Sequence, residues 1–214
     1  MGTGGSQIMD GADLQAGAQV EVRTVEASDA PALHALDYSF ETDRIYTLHI
    51  RSNFEQGDGQ ASPAGQPAFA FELRETRVDM PLYKDYRAYQ LTLDAVEARL
   101  ASAQGGYVAL ADGQVAGVIL LNIEAWRAVV RIEDIIVGRL FRRYGIGTLL
   151  LNCAADWARN HGCHAILLET QNINYPAIRF YLRNGLQIWG ISQHYYPLGS
   201  EEHEVAIFMG KLLR

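Results

Sequence analysis

The stretch that decides the fold reads Ile132-Glu133-Asp134-Ile135-Ile136-Val137 and then, a few residues on, Arg142-Arg143-Tyr144-Gly145-Ile146-Gly147. The first segment lies in a largely apolar run from Ala128 to Val137, which reads as a strand. The second opens a run from Ile146 to Arg159 in which Leu149, Leu150, Cys153, Ala154 and Trp157 recur at helical spacing. A strand that passes through a glycine turn into a helix sets up a particular chemistry. Glycine lets the backbone come close to a ligand, and the first turn of a helix carries amide N–H groups without carbonyl partners. Those donors and the helix dipole suit a pyrophosphate, and Arg142 and Arg143 add positive charge at its rim. An ordinary strand-to-helix turn has the same outline. The pattern is not a P-loop, which needs Lys and then Ser or Thr after its second Gly. Nor is it a three-glycine dinucleotide fingerprint.

Upstream, Val20 to Val25 alternates as a half-buried first strand, and Ser28 is placed to cap a short helix with Pro31 in its first turn. Tyr46 to Arg51 and Ala68 to Arg77 alternate as two strands around a Gly- and Pro-containing loop over 56–66. A helix is expected over Leu93 to Ala103. Tyr107 to Leu110 and Val115 to Asn122 form a hairpin through Asp112-Gly113. Downstream come a strand buried on both faces (Ala165 to Glu169), a short helix (Pro176 to Arg183) and two last strands (Ile188 to Tyr195 and Val205 to Met209). Residues 1–18, rich in Gly, Ala, Ser and Asp, read as a flexible leader. The remainder, 19–214, reads as one α/β or α+β domain with a hairpin insert around 43–78.

With 214 residues, 49% of them hydrophobic, the chain buries one substantial core. A net charge of −7 argues against a general nucleic-acid binder. It is compatible with a cationic small-molecule partner and equally with an acidic surface that serves solubility. The cysteines, Cys153 and Cys163, read as thiols in a reducing compartment. They do not form a zinc site, and the histidines show no ligand spacing, so no metal is expected. No apolar run reaches the roughly 18 residues that span a bilayer, and the first residues lack the features of a secretory signal. These readings point to a cytoplasmic protein without a membrane partner.

The two quoted segments resemble the acetyl-CoA motif of the GNAT superfamily of N-acetyltransferases. A second block, Asn174, Ala177, Phe180, Tyr181 and Gly185-Leu186, is similar to that family's later helix and turn. Leu168-Glu169-Thr170-Gln171-Asn172-Ile173-Asn174, Gly190, Trp126 and Tyr83-Lys84-Asp85-Tyr86 resemble, more narrowly, the streptothricin acetyltransferases. The resemblance implies a mixed, mostly antiparallel sheet flanked by helices and splayed at the acetyl-CoA strand. It implies acetyl-CoA as co-substrate and an amine as acceptor.

By the same resemblance, the main chain of Ile135, Ile136 and Val137 would hold the pantetheine arm. The loop Arg142, Arg143, Tyr144, Gly145, Ile146, Gly147 and Thr148 would hold the pyrophosphate, and Asn174, Ala177 and Tyr181 would complete the cofactor side. Tyr181 would protonate the leaving thiolate, or else it packs beside Phe180. Asn174 would touch the pantetheine, or it only caps its helix. The base would be Glu169, then Glu133; Asp134 lies on the same strand, and strand alternation turns it and Glu133 to opposite faces. Glu169 could instead hold a neighbouring loop, and a water chain could stand in for the base. The resemblance leaves the acceptor open between a small cationic amine, such as a streptothricin-type antibiotic, and a protein N-terminus. A non-catalytic acyl-CoA-binding role is the third reading. Ile188 to Tyr195 is apolar enough to form a homodimer contact.

Overall fold

The computed structural model describes residues 19–52, 69–86, 92–197 and 204–213. The expected leader over 1–18 and the loop over 56–66 lie outside the described residues. In chain order the elements are β1 (Val20–Thr24), α1 (Ala30–Ala35), β2 (Phe40–Ser52), β3 (Phe69–Lys84), α2 (Leu93–Ser102), β4 (Gly105–Ala111) and β5 (Gln114–Glu124). These are followed by β6 (Val129–Val137), α3 (Ile146–Asn160), β7 (Ala165–Gln171), α4 (Tyr175–Arg183), β8 (Gln187–Ser192) and β9 (Ala206–Leu212). Seven strands form one sheet in the order β1-β4-β5-β6-β7-β9-β8, and β2 and β3 form a second. The expected α/β architecture is therefore present. The chain divides into two compact units: residues 1–40, 84–168 and 210–214, and residues 41–83 and 169–209.

In the first unit, β1, β4, β5 and β6 pair antiparallel, and β7 joins β6 in parallel. Asp112 and Gly113 turn β4 into β5 with φ of 48° and 80°, the left-handed pair that a tight hairpin needs. Along β5, Val118 and Leu120 face a cluster with Leu33 and Leu36 of the α1 region and Val96 of α2. Alternation turns Ile119 and Leu121, both fully buried, to the other face, where α3 packs. Each buried Leu or Ile there contributes about 1.5–3 kcal/mol.

Several expectations are corrected here. Ser28 does not cap α1. A 3-10 turn over Ala27–Asp29 precedes the helix, and Asp29 accepts the Glu26 amide at 2.8 Å while pairing with Arg23 at 2.7 Å. Helix α3 buries Ile146, Leu150, Leu151, Ala154, Ala155 and Ala158. Leu149 is 41% exposed, and Cys153 and Trp157 are half-buried, so the buried stripe is rotated from the one expected. Ala128 stands outside β6, with φ of 49° after a 3-10 turn. Strand β8 ends at Ser192, short of Tyr195.

In the second unit, β2 and β3 are longer than their alternation indicates. Pro81 within β3 is tolerated because both strands of a two-stranded sheet are edges. The hairpin is fastened to the β7–α4 junction. The Tyr46 amide donates to the Asn172 carbonyl at 3.0 Å, and the Asn172 side chain donates to the Tyr46 carbonyl at 2.8 Å. The Tyr46 ring lies 5.5 Å from that of Tyr175, whose hydroxyl donates to Glu75 at 3.1 Å.

Candidate active site

The register of β6 creates an opening. Its pairing with β7 covers only Val129, Val130 and Arg131, whereas its pairing with β5 runs on to Val137. From Ile132 to Val137 one backbone edge is therefore not laddered to β7. Ile135, Ile136 and Val137, the expected pantetheine residues, lie on this segment.

The chain then turns into α3. Arg143 and Gly145 have φ of 72° and 80°. No side chain caps α3, and its first helical bond runs from the Leu149 amide to the Gly145 carbonyl at 3.1 Å. The amides of Ile146, Gly147 and Thr148 thus lack carbonyl partners within the helix, the arrangement that receives an anion. Gly145 is exposed, and a Cβ built on it would meet nothing within 4 Å. The left-handed backbone, and not crowding, is what requires glycine there.

Arg142 differs from its expected part. Its Nε donates to the Val137 carbonyl at 2.9 Å and its Nη1 to the Ser39 carbonyl at 2.7 Å. Burial is the largest influence on its pKa and lowers it, with Asp37 working in the opposite sense. The side chain is a clasp holding the end of β6 against the segment before β2. Arg143 and Tyr144, by contrast, are exposed.

Glu133 and Asp134 do not point to opposite faces. The β5–β6 register slips between Leu120, opposite Asp134, and Leu121, opposite Ile132. Glu133 is the extra residue of a β-bulge, and a bulge breaks the two-residue alternation. Both carboxylates therefore line one cavity of about 380 Å³ beside α2, together with Arg99, Ser102 and Asn122. Arg99 pairs with Asp134 at 3.1 Å, and Arg131 with Glu133 at 3.4 Å. Burial lifts the Asp134 carboxyl above the usual carboxylate range, with the Arg99 guanidinium working against it. A carboxyl with a raised pKa in a polar cavity suits proton transfer.

The remaining candidates lie in the second unit. Glu169, near the end of β7, accepts a hydrogen bond from the Tyr196 hydroxyl, so the loop-holding reading describes a contact that is present. Asn174 caps α4, its side-chain oxygen accepting the Ala177 amide at 3.3 Å. Tyr181 is 6% exposed, with its ring 5.4 Å from that of Phe180. Asn172 lies within a quoted motif block but had no role assigned to it from sequence; its buried side chain receives the Val205 amide at 2.8 Å as well as reaching Tyr46. The polar Gln171-Asn172 step after a buried strand was its visible signal. Arg99 and Tyr196 carried no local signal, because their partners lie far along the chain. Among the described residues no cluster of His, Cys, Asp or Glu has metal-site geometry, and no helix is long and apolar enough to cross a membrane.

The acetyltransferase (GNAT) family model matches residues 70–186. A streptothricin acetyltransferase of Streptomyces lavendulae is 33% identical over 195 residues, covering 90% of this chain and 95% of that protein. The crystal structure of a nourseothricin acetyltransferase superposes with a TM-score of 0.71 at 30% identity, covering 91% of this chain and 99% of the other. A Bacillus anthracis protein described as a streptothricin acetyltransferase, solved in complex with acetyl coenzyme A, gives 0.70 at 27% identity over 92% and 99%.

Proposed function

This chain belongs to the acetyltransferase (GNAT) family and is an N-acetyltransferase, and on that footing we propose that it moves the acetyl group of acetyl-CoA to a primary amine of a streptothricin-type antibiotic. The observation that carries the co-substrate is the uncapped start of α3 directly after a strand whose edge is open from Ile132 to Val137. Main-chain groups of Ile135, Ile136 and Val137 receive the pantetheine amides as an added strand would. The amides from Arg143 to Thr148 receive the pyrophosphate. Likeness to a streptothricin acetyltransferase over nearly its whole length supports the acceptor.

The acceptor arrives as an ammonium. Glu169 takes one proton, or Glu133 does so in its place, and the free amine attacks the thioester carbonyl. A C–N bond forms, the C–S bond breaks, and the thiolate takes its proton from Tyr181. The amide nitrogen sheds its second proton, which restores Tyr181 through solvent. The domain comprises residues 19–214 with its hairpin insert around 43–78 on the acceptor side, and it works in the cytoplasm as a homodimer that pairs through the region of β8. Exposed Ile188 and Trp189 support that pairing. Light scattering that returns a mass near the 23.7 kDa of one chain at high concentration rejects the dimer.

The deciding experiment compares acceptors. Purified protein with acetyl-CoA is given streptothricin, an aminoglycoside or a peptide with a free N-terminus, and release of CoA thiol is followed. Turnover on streptothricin, together with raised tolerance in a sensitive bacterium expressing the chain, is the expected result. Turnover on the peptide alone moves the assignment to N-terminal acetylation, and binding of acetyl-CoA without turnover on any amine moves it to an acyl-CoA-binding role.

A further inference from the structure

We propose that Tyr196 is a positioning residue for Glu169, setting the carboxylate that receives the acceptor's ammonium proton; this inference rests on the acetyl transfer and on the role of Glu169 given above. The Tyr196 hydroxyl donates to Oε1 of Glu169 across a sequence separation of 27 residues. The phenol is held in turn. Tyr195 meets Tyr196 edge-on at 5.4 Å and meets Phe208 of β9 edge-on at 5.4 Å. Glu169 and Gln171 share one face of β7 by strand alternation. On that face Gln171 donates to the buried Glu204 at 2.7 Å. The end of β7 therefore meets two carboxylates, its own Glu169, which accepts from Tyr196, and Glu204 ahead of β9, which accepts from Gln171, and only Glu169 is in the catalytic assignment.

A carboxylate at the end of a strand has several rotamers, and a base works only within hydrogen-bond reach of its proton. A phenol donating to one oxygen selects the rotamer and favours the charged form that accepts the proton. Tyr196 thus acts on the reaction through Glu169 alone. Its effect belongs in kcat, with the KM for acetyl-CoA unchanged.

The test is a double-mutant cycle on the full chain with acetyl-CoA and streptothricin, using Tyr196→Phe, Glu169→Gln and the pair. Tyr196→Phe retains the ring against Tyr195 and removes the donor. We expect it to lower kcat about tenfold, with KM for acetyl-CoA unchanged, and to add nothing further in the Glu169→Gln background. Tyr196→His, which keeps a ring and a donor, recovers part of the rate. A kcat for Tyr196→Phe within twofold of wild type overturns the proposal, as do single effects that multiply in the double variant. A wild-type chain inert toward streptothricin overturns the acceptor reading and this proposal with it. An active wild type with multiplying effects overturns this proposal alone.

Discussion

Replacing Gly145 by Ala separates the backbone geometry of the pyrophosphate loop from the stability of its helix. Gly145 has φ of 80°, and Gly162, just past the other end of α3, has φ of 70°. Neither position would crowd an added Cβ, since nothing lies within 4 Å of it. The cost of alanine at each is therefore torsional, roughly 1–2 kcal/mol. Gly162→Ala should lose that much stability in denaturant unfolding, and Gly145→Ala less, because its exposed loop can relax. They should differ in ligand binding. The loop at Gly145 is exposed, and Arg143 already holds a left-handed conformation two residues earlier. Alanine at 145 should relax toward negative φ and swing the amides of Ile146, Gly147 and Thr148 out of line. Binding acetyl-CoA must then restore the strained form. At 1.4 kcal/mol per factor of ten, this weakens affinity about 5- to 30-fold. Gly162→Ala should leave affinity unchanged, and Gly145→Asn, which tolerates positive φ better, should fall between. Titration calorimetry on the three folded variants reads the difference directly. Equal affinities for Gly145→Ala and wild type would show that this turn does not present the amides to the co-substrate.

Three further outcomes are expected. Tyr181→Phe should retain acetyl-CoA binding while kcat falls about 100-fold, the usual scale for a general acid; full kcat across the pH range, with product release shown not to limit the rate, would make Tyr181 a packing residue. Asn172→Ala removes both the donor to Tyr46 and the acceptor of the Val205 amide, and should cost about 2–3 kcal/mol in denaturant unfolding; a loss under 0.5 kcal/mol would mean the hairpin is held by other contacts. Asp29 has its pKa lowered, first by its hydrogen bond to Arg23 and against the effect of burial. Its contribution is thus present above the unfolded value near ~3.9 and is lost as pH falls through the lower folded value. Asp29→Asn should cost about 2 kcal/mol at pH 7, and the gap to wild type should close as unfolding is repeated toward pH 2; a gap that is constant with pH would remove the carboxylate's charge from the account.

The sequence alone determined the order of strands and helices and the turn from β6 into α3, because hydrophobic periodicity and glycine chemistry act over a few neighbouring residues. It also determined the family, through two motif blocks whose residues are local to one strand, one loop and one helix. Asn174 was legible as a cap for the same reason. Tertiary structure decided what depends on partners distant in the chain. Arg142 read as charge at the rim of the pyrophosphate site, and its guanidinium donates to the Ser39 carbonyl, 103 residues away, a contact no local pattern encodes. Alternation put Glu133 and Asp134 on opposite faces, and only the slipped register against Leu120 and Leu121 turned both toward Arg99 and α2. The pairing of Glu169 with Tyr196 and the fastening of Tyr46 by Asn172 are likewise contacts that no local pattern encodes. A residue's type limits the bonds it can make, but the packing of remote segments determines which of those bonds form.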